Sequence, residues 1–266
     1  MRLRRDVLFP VAGLMGGIPL RVRRKVWLRQ FLLQGCWNYE GMQNLGFAYS
    51  ILPALRDRYE GRPEEFSRAL KRHLEYFNTH PAMAAVILGA AIRLEESVAE
   101  GKADPRAIGT FKVGLMGSLG AIGDSYFWGA LKPMASAAGA IMAFVHPLLG
   151  IVTLLALYNI SHLALRFQGF AAGMGGEESA VQFLKEAGIS RRTEDRKMIA
   201  AILSGAYAGV VSSQTAHMFG GAWPELGVFL IAALTVHLFT VLFRKAVSPS
   251  EVLFLLLIMG ALILWQ

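Results

Sequence analysis

KPMASAAGAIMAFVHPLLGIVTLLALYNISHLALR, residues 132–166, decides the fold class. Between Lys132 and Arg166 lie 33 residues without a charge. A straight membrane span takes about 20 apolar residues, in a range of about 17–25. The run is too long for one simple span and short for two full ones. His146-Pro147 stands near its middle. Proline removes a helix hydrogen bond and disfavours helix at the residue before it. The run therefore predicts a broken helix, or a hairpin entering the membrane part-way.

Moving outward, three more charge-free runs follow: Met198–Pro224, Leu226–Phe243 and Val252–Gln266, of 27, 18 and 15 residues. The 266-residue chain is 54% hydrophobic and 17% charged. Soluble domains carry about 25% charged residues. Towards the N-terminus the pattern changes. From Arg56 to Lys112 charges are frequent and apolar residues are helically spaced. Pro63-Glu64-Glu65 suits a helix start, so Glu64 to Phe77 reads as an amphipathic helix. Ala82 to Ile92 reads either as a buried helix or as a short dipping segment. Gly101 to Pro105 is turn-like. No β pattern with regular turn spacing occurs. The expected fold class is all-α: a polytopic membrane protein with amphipathic N-terminal helices, broken or re-entrant helices and C-terminal transmembrane helices.

The net charge of +8 is local. Residues 1–29 hold eight Lys/Arg and one acid, leaving 27 − 8 = 19 basic and 19 − 1 = 18 acidic residues elsewhere. A neutral body without a basic stripe argues against a nucleic-acid binder. A basic arm beside apolar segments marks the cytoplasmic face of a membrane. The apolar segment 7–20 reads as an uncleaved interfacial or membrane-dipping segment, since no small-residue cleavage site follows it. Two basic connections, 166–197 and Arg244-Lys245, are expected to be cytoplasmic. The expected organisation is an arm over 1–30 and a membrane domain over 31–266. That domain splits into a motif region, 31–132, and a transmembrane region, 133–266. The lone Cys36 excludes an internal disulfide and any multi-cysteine metal site.

Three clusters carry candidate chemistry. The first is Gln34-Gly35-Cys36-Trp37-Asn38-Tyr39-Glu40-Gly41-Met42-Gln43-Asn44. Sugar sites use this vocabulary: an indole packs on the apolar face of a pyranose, and amides and carboxylates bind vicinal hydroxyls. Read as a helix, Asn38 and Met42 share a face, as do Glu40, Gln43 and Asn44. The alternative is an interfacial aromatic anchor beside a polar helix face. The second cluster is Phe77-Asn78-Thr79-His80-Pro81. Pro81 breaks regular pairing there, and His80 is a candidate hydrogen-bond partner or proton acceptor. The alternative is a helix end capped by Asn and Thr. The third cluster runs from Lys112 to Trp128, with glycines at 114, 117, 120 and 123 and Asp124 at its far edge. It offers either close backbone approach or a charged functional edge. It lacks the ending of a phosphate-binding loop. The six histidines form no metal constellation, so neither a metal nor a cofactor is expected.

At these clusters the chain resembles the enzyme IID component of the mannose-family (mannose/fructose/sorbose) phosphoenolpyruvate-dependent sugar phosphotransferase system. The phrases are LQGCWNYEGMQNLGFAYSILPAL (33–55), HLEYFNTHP (73–81), KVGLMGSLGAIGDSYFWGALKP (112–133), LYNISHLALRFQGF (157–170) and FRKAVSPSE (243–251). The resemblance implies a multi-pass subunit of a bacterial cytoplasmic membrane with a cytoplasmic N-terminus. It implies a IIC membrane partner, IIA/IIB phosphocarriers, a hexose substrate, lipid contact and hetero-oligomerisation. IID carries no phosphohistidine, so no catalytic residue is expected. Trp37, Asn38, Glu40, Gln43, Asn78, His80, Lys112 and Asp124 are the candidates for lining the sugar path. Gly41 and Ser118 depart from the family phrase, which has Arg and Pro there. The apolar segment 7–20 also differs from the short polar leader the resemblance implies. These departures motivate an alternative: a transport-inactive regulatory or scaffold protein on the same fold.

Overall fold

AAVILGAAIRLEESVA, residues Ala84–Ala99, folds as a helix buried on nearly every side, with twelve of its sixteen residues inside. A helix apolar around most of its circumference belongs in a core. The choice left open for Ala82 to Ile92 therefore falls to the buried helix. The computed structural model describes residues 18–218, and these are all-α. Among them are α1 (Leu20–Arg29), α2 (Asn44–Arg58), α3 (Pro63–His73), α4 (Ala84–Ala99) and α5 (Arg106–Gly123). Then come α6 (Lys132–Ala143), α7 (Pro147–Met174), α8 (Glu177–Glu186) and α9 (Ile189–Met218). A π-helical segment, Asp124–Leu131, joins α5 to α6. The chain divides into two units, Met1–Leu203 and Ser204–Gln266, and the packing below concerns the first. Most of the apolar segment 7–20 and the crossings expected beyond residue 218 lie outside the described residues.

Glycine sets how closely α4 and α7 approach. A Cβ on Gly173 would collide with the Val86 carbonyl, and one on Gly89 with the Phe170 carbonyl. Small residues at such seams let two backbones touch, so dispersion contacts accumulate over the whole face. The same device closes the pair α6–α7, where Gly139 faces the Gly150 carbonyl and the Leu154 side chain.

The 33-residue run breaks where expected. Helix α6 ends at Ala143, and α7 restarts at Pro147 with Pro in its first turn. His146 is extended, and its Nδ1 accepts the Leu148 N–H at 3.2 Å, capping the new helix. At about 1.5 Å per residue α6 spans about 18 Å, some half of a hydrocarbon core of about 30 Å. Helix α7, with 28 residues, is long and apolar enough to cross, and only 11% of its most apolar window is buried in the protein. Leu148, Ile151, Val152, Leu155 and Ile160 are exposed along it. The pair is a hairpin whose second arm is long and apolar enough to cross a membrane.

Helix α3 starts at Pro63 with Glu64 and Glu65 in its first turn, as the spacing predicts. It ends at His73, four residues before the expected Phe77. The reason is tertiary. The Leu74 carbonyl accepts the Asn44 side chain at 2.7 Å, and Phe77 pairs with the backbone of the 41–43 loop.

Gly173→Leu is expected to separate α4 from α7 and to cost about 1–3 kcal/mol. Gly114→Ala, where a Cβ meets nothing within 4 Å, is expected to be neutral or stabilising. Thermal unfolding of the two purified variants checks this; equal midpoints would place the helix seam elsewhere.

Candidate functional site

The first cluster is a loop, not the helix its spacing suggests. Two backbone hydrogen bonds tie Asn38 to Met42, at 3.1 and 2.9 Å. Met42 takes positive φ, 57°. The Asn38 side chain stabilises this loop: its Oδ1 accepts the Gly41 N–H at 2.8 Å, and its Nδ2 donates to Asn44 Oδ1 at 3.1 Å. Asn44 Oδ1 also accepts the Leu45 N–H at the start of α2. Short amide side chains offer the backbone such alternatives to helix. Gly41 fits here because its Cβ position is filled by the Asn44 side chain.

The second cluster lies on the first. The Gln43 N–H donates to the Phe77 carbonyl at 2.8 Å, and the Phe77 N–H to the Gly41 carbonyl at 3.3 Å. Gln43 then clamps Thr79 from both sides. Its Nε2 donates to the Thr79 carbonyl at 2.8 Å, and its Oε1 accepts the Thr79 N–H at 3.2 Å. Asn38 and Gln43 therefore spend their amide groups on the protein. Trp37, Tyr39, Glu40 and Asn78 remain exposed. The Trp37 indole, 45% exposed, meets the Tyr39 ring edge-on at 4.8 Å.

His80 is 3% exposed and stacks on Phe127 of the π-helical segment, 4.5 Å between centroids. Gly123 allows this approach, since a Cβ there would strike the imidazole. The Ala82 N–H donates to His80 Nδ1, which places the ring proton on Nε2. Nε2 is buried without a partner. Burial, helped by the positive fields of His162 and Arg166, pushes the His80 pKa down to about 4. With Nδ1 occupied by the Ala82 N–H, the neutral ring presents Nε2–H as a donor. Arg166, on α7, donates to the Pro81 carbonyl at 2.7 Å and holds the break in place.

Lys112 is 2% exposed. Its Nζ donates to the Arg72 carbonyl at 3.0 Å and lies 5.1 Å from the centre of the Phe47 ring. Burial lowers its pKa to about 8. It supports the site from below. Asp124 opens the π-helical segment and is exposed. The structure joins Asn38, Gln43, Asn78 and His80 through one paired loop. It sets Lys112 beneath the Phe47–Phe77 ring pair. Among the described residues, no hydrogen bond or ion pair draws Trp37, Glu40 or Asp124 into that network.

One group of residues escaped the sequence reading. Glu95, 1% exposed, accepts from Arg72 Nε at 2.6 Å, Arg72 Nη2 at 3.0 Å and the Tyr59 hydroxyl at 2.6 Å. It also pairs with His73 Nε2 at 2.7 Å. Burial alone would raise its pKa, but hydrogen bonds from His73, Arg72 and Tyr59 hold it down at about 2. Burial pushes the His73 pKa down despite Glu95, so a neutral ring donates through Nε2. The usable signal was an acidic pair, Glu95-Glu96, buried in a helix whose first nine residues are all apolar.

Comparison with known proteins agrees with this architecture. The sequence-family model for the PTS system mannose/fructose/sorbose family IID component matches residues 18–266. The mannose-specific EIID component of Escherichia coli (strain K12) is 41% identical over 184 residues, 69% of this chain. That alignment spans 65% of the E. coli protein's length. The fructose permease IID component of Bacillus subtilis (strain 168) is 30% identical over 90% of this chain and 93% of its own. A solved membrane-protein structure superposes with a TM-score of 0.72 at 32% identity, covering 92% of this chain and 96% of that one. A chain from a complex of the mannose transporter ManYZ with microcin E492 gives a TM-score of 0.58 at 33% identity, with the same coverage.

Glu95→Gln is expected to cost about 3–5 kcal/mol at neutral pH, because Arg72 is left without its anion. In the parent, the folded pKa lies below the ordinary 4.5, so this stabilisation is present above pH 4.5. It is lost as pH falls towards 2. Thermal unfolding across that window checks the sign; an equally steep acid loss in Glu95→Gln would contradict it.

Proposed function

We propose a function for this chain from one premise: it belongs to the mannose/fructose/sorbose family of phosphotransferase-system IID components. Its role is that of a membrane subunit. With a IIC partner it carries a hexose across the bacterial cytoplasmic membrane, while IIA and IIB phosphorylate the sugar. The observation that carries this reading is the paired loop of residues 37–44 and 77–80. An exposed indole, a carboxylate and an amide stand on a backbone fixed by Asn38 and Gln43. Pre-fixed groups of this kind bind a polyol without first being ordered. The relatives are named for mannose, fructose and sorbose, which supports a hexose as the substrate class.

Within this role the candidate residues divide. Trp37, Glu40, Asn78 and Asp124 face solvent and are the contact candidates. His80 offers one neutral Nε2–H donor. Asn38, Gln43 and Lys112 act through position, keeping the loop in shape. We assign no phosphoryl acceptor to this chain. The arm over 1–30, the motif region 31–132 and the transmembrane region 133–266 form the working division. The N-terminus and the basic segment 166–197 face the cytoplasm.

The transport-inactive alternative is not favoured. It rested on Gly41, Ser118 and the apolar leader over 7–20, most of which lies outside the described residues. Gly41 sits where the Asn44 amide takes the space of a side chain, and Ser118 is an exposed residue within the regular helix α5.

Trp37→Ala is expected to raise the hexose concentration for half-maximal uptake by about tenfold, equal to about 1.4 kcal/mol, with membrane insertion unchanged. Asn38→Ala is expected to act in the same direction by loosening the loop. Uptake by membrane vesicles containing the whole complex checks both; unchanged sugar affinity in the two variants would move the site away from this loop.

A further inference from the structure

Away from the paired loop, a cleft of about 290 Å³ opens between α6 and α7. It is lined by Trp128, Lys132, Ala135, Ser136, Leu154 and Tyr158. Lys132 is the last charge before the 33 uncharged residues, so it stands at the edge of the apolar layer. Its ammonium lies 4.9 Å from the centre of the Trp128 indole, which is 49% exposed. Among the described residues no carboxylate pairs with this ammonium. Neither the Ser136 nor the Tyr158 hydroxyl has a hydrogen-bond partner among them. Three polar groups thus share one cleft at the edge of the apolar run without a hydrogen-bond or ion-pair partner among the described residues. Polar groups there require a partner, because hydrocarbon offers none.

We propose that this cleft binds one anionic phospholipid. The phosphate is the acceptor for Lys132 Nζ and for the two hydroxyls, and an acyl chain lies along Ala135 and Leu154. Three features favour a lipid over a neutral sugar. The unpaired cation calls for a negative charge, and charge-assisted bonds to phosphate are the stronger kind. The walls are mainly carbon. Beside Leu154, α7 exposes Ile151 and Leu155, the apolar side chains expected to face acyl chains. Trp and Lys at the edge of a span are also the residue types that meet headgroups. The site is independent of which hexose the protein carries.

Native mass spectrometry of the full-length chain, with phosphatidylglycerol or phosphatidylcholine added, reads the preference directly. The expected result is one retained phosphatidylglycerol, about tenfold preferred over phosphatidylcholine, which corresponds to about 1.4 kcal/mol. Lys132→Gln is expected to abolish the preference and Lys132→Arg to keep it. Lys71→Gln, an exposed lysine on α3, is expected to leave it unchanged. Phosphatidylglycerol brominated on its acyl chain is expected to quench tryptophan emission in the parent more than in Trp128→Phe. An undiminished preference in Lys132→Gln overturns the proposal. So does displacement of the retained lipid by mannose, which would make the cleft a sugar site.

Discussion

The arrangement depends on one buried carboxylate. Removing Glu95 from water costs several kcal/mol unless its lone pairs are filled. Arg72, His73 and Tyr59 fill them, and these come from α3 and from the C-terminal end of α2. Lys112 then binds the Arg72 carbonyl and brings in α5. Four helices are therefore fixed relative to one another at a single point. The two site loops leave from these same helices: 37–44 runs into α2, and 74–83 joins α3 to α4. The helices that carry the candidate sugar loop are fixed by a network that contains none of its exposed residues, and Asn38 and Gln43 fix the loop itself.

That separation explains what was legible in the sequence. The break at His146-Pro147 and the start at Pro63 were readable, because proline acts locally through its own ring. The all-α class was readable from spacing and from the charge-free runs. The loop over 34–44 was not. Its helical spacing is real, but Met42 and Gln43 pair with Phe77, more than thirty residues away, and that contact overrides local preference. Asn38 and Gln43 were singled out as candidates for the sugar path. Residue type alone does not show whether an amide faces a sugar hydroxyl or another protein group, and here both bond within the protein. Glu95 was missed because an acid in a helix normally points to water.

The fold also separates two kinds of close contact. Glycines at 89, 139, 150 and 173 bring helices to backbone distance and build the hairpin and its seam with α4. Glycine 123 admits the imidazole of His80 instead. Gly114 and Gly117, in the same spaced series on α5, have open space beside them. A single sequence rhythm thus serves packing at some positions and leaves others free at the surface.

In the proposed role, hexose transport coupled to phosphorylation needs this chain. The most direct measurement uses vesicles carrying this chain and its IIC partner, supplied with the soluble phosphocarriers and phosphoenolpyruvate. Formation of hexose phosphate is followed across a panel of hexoses, with and without this chain. Phosphorylation of at least one hexose is expected, with its loss when this chain is omitted. Undiminished hexose phosphate formation in its absence would show that the chain has no such role.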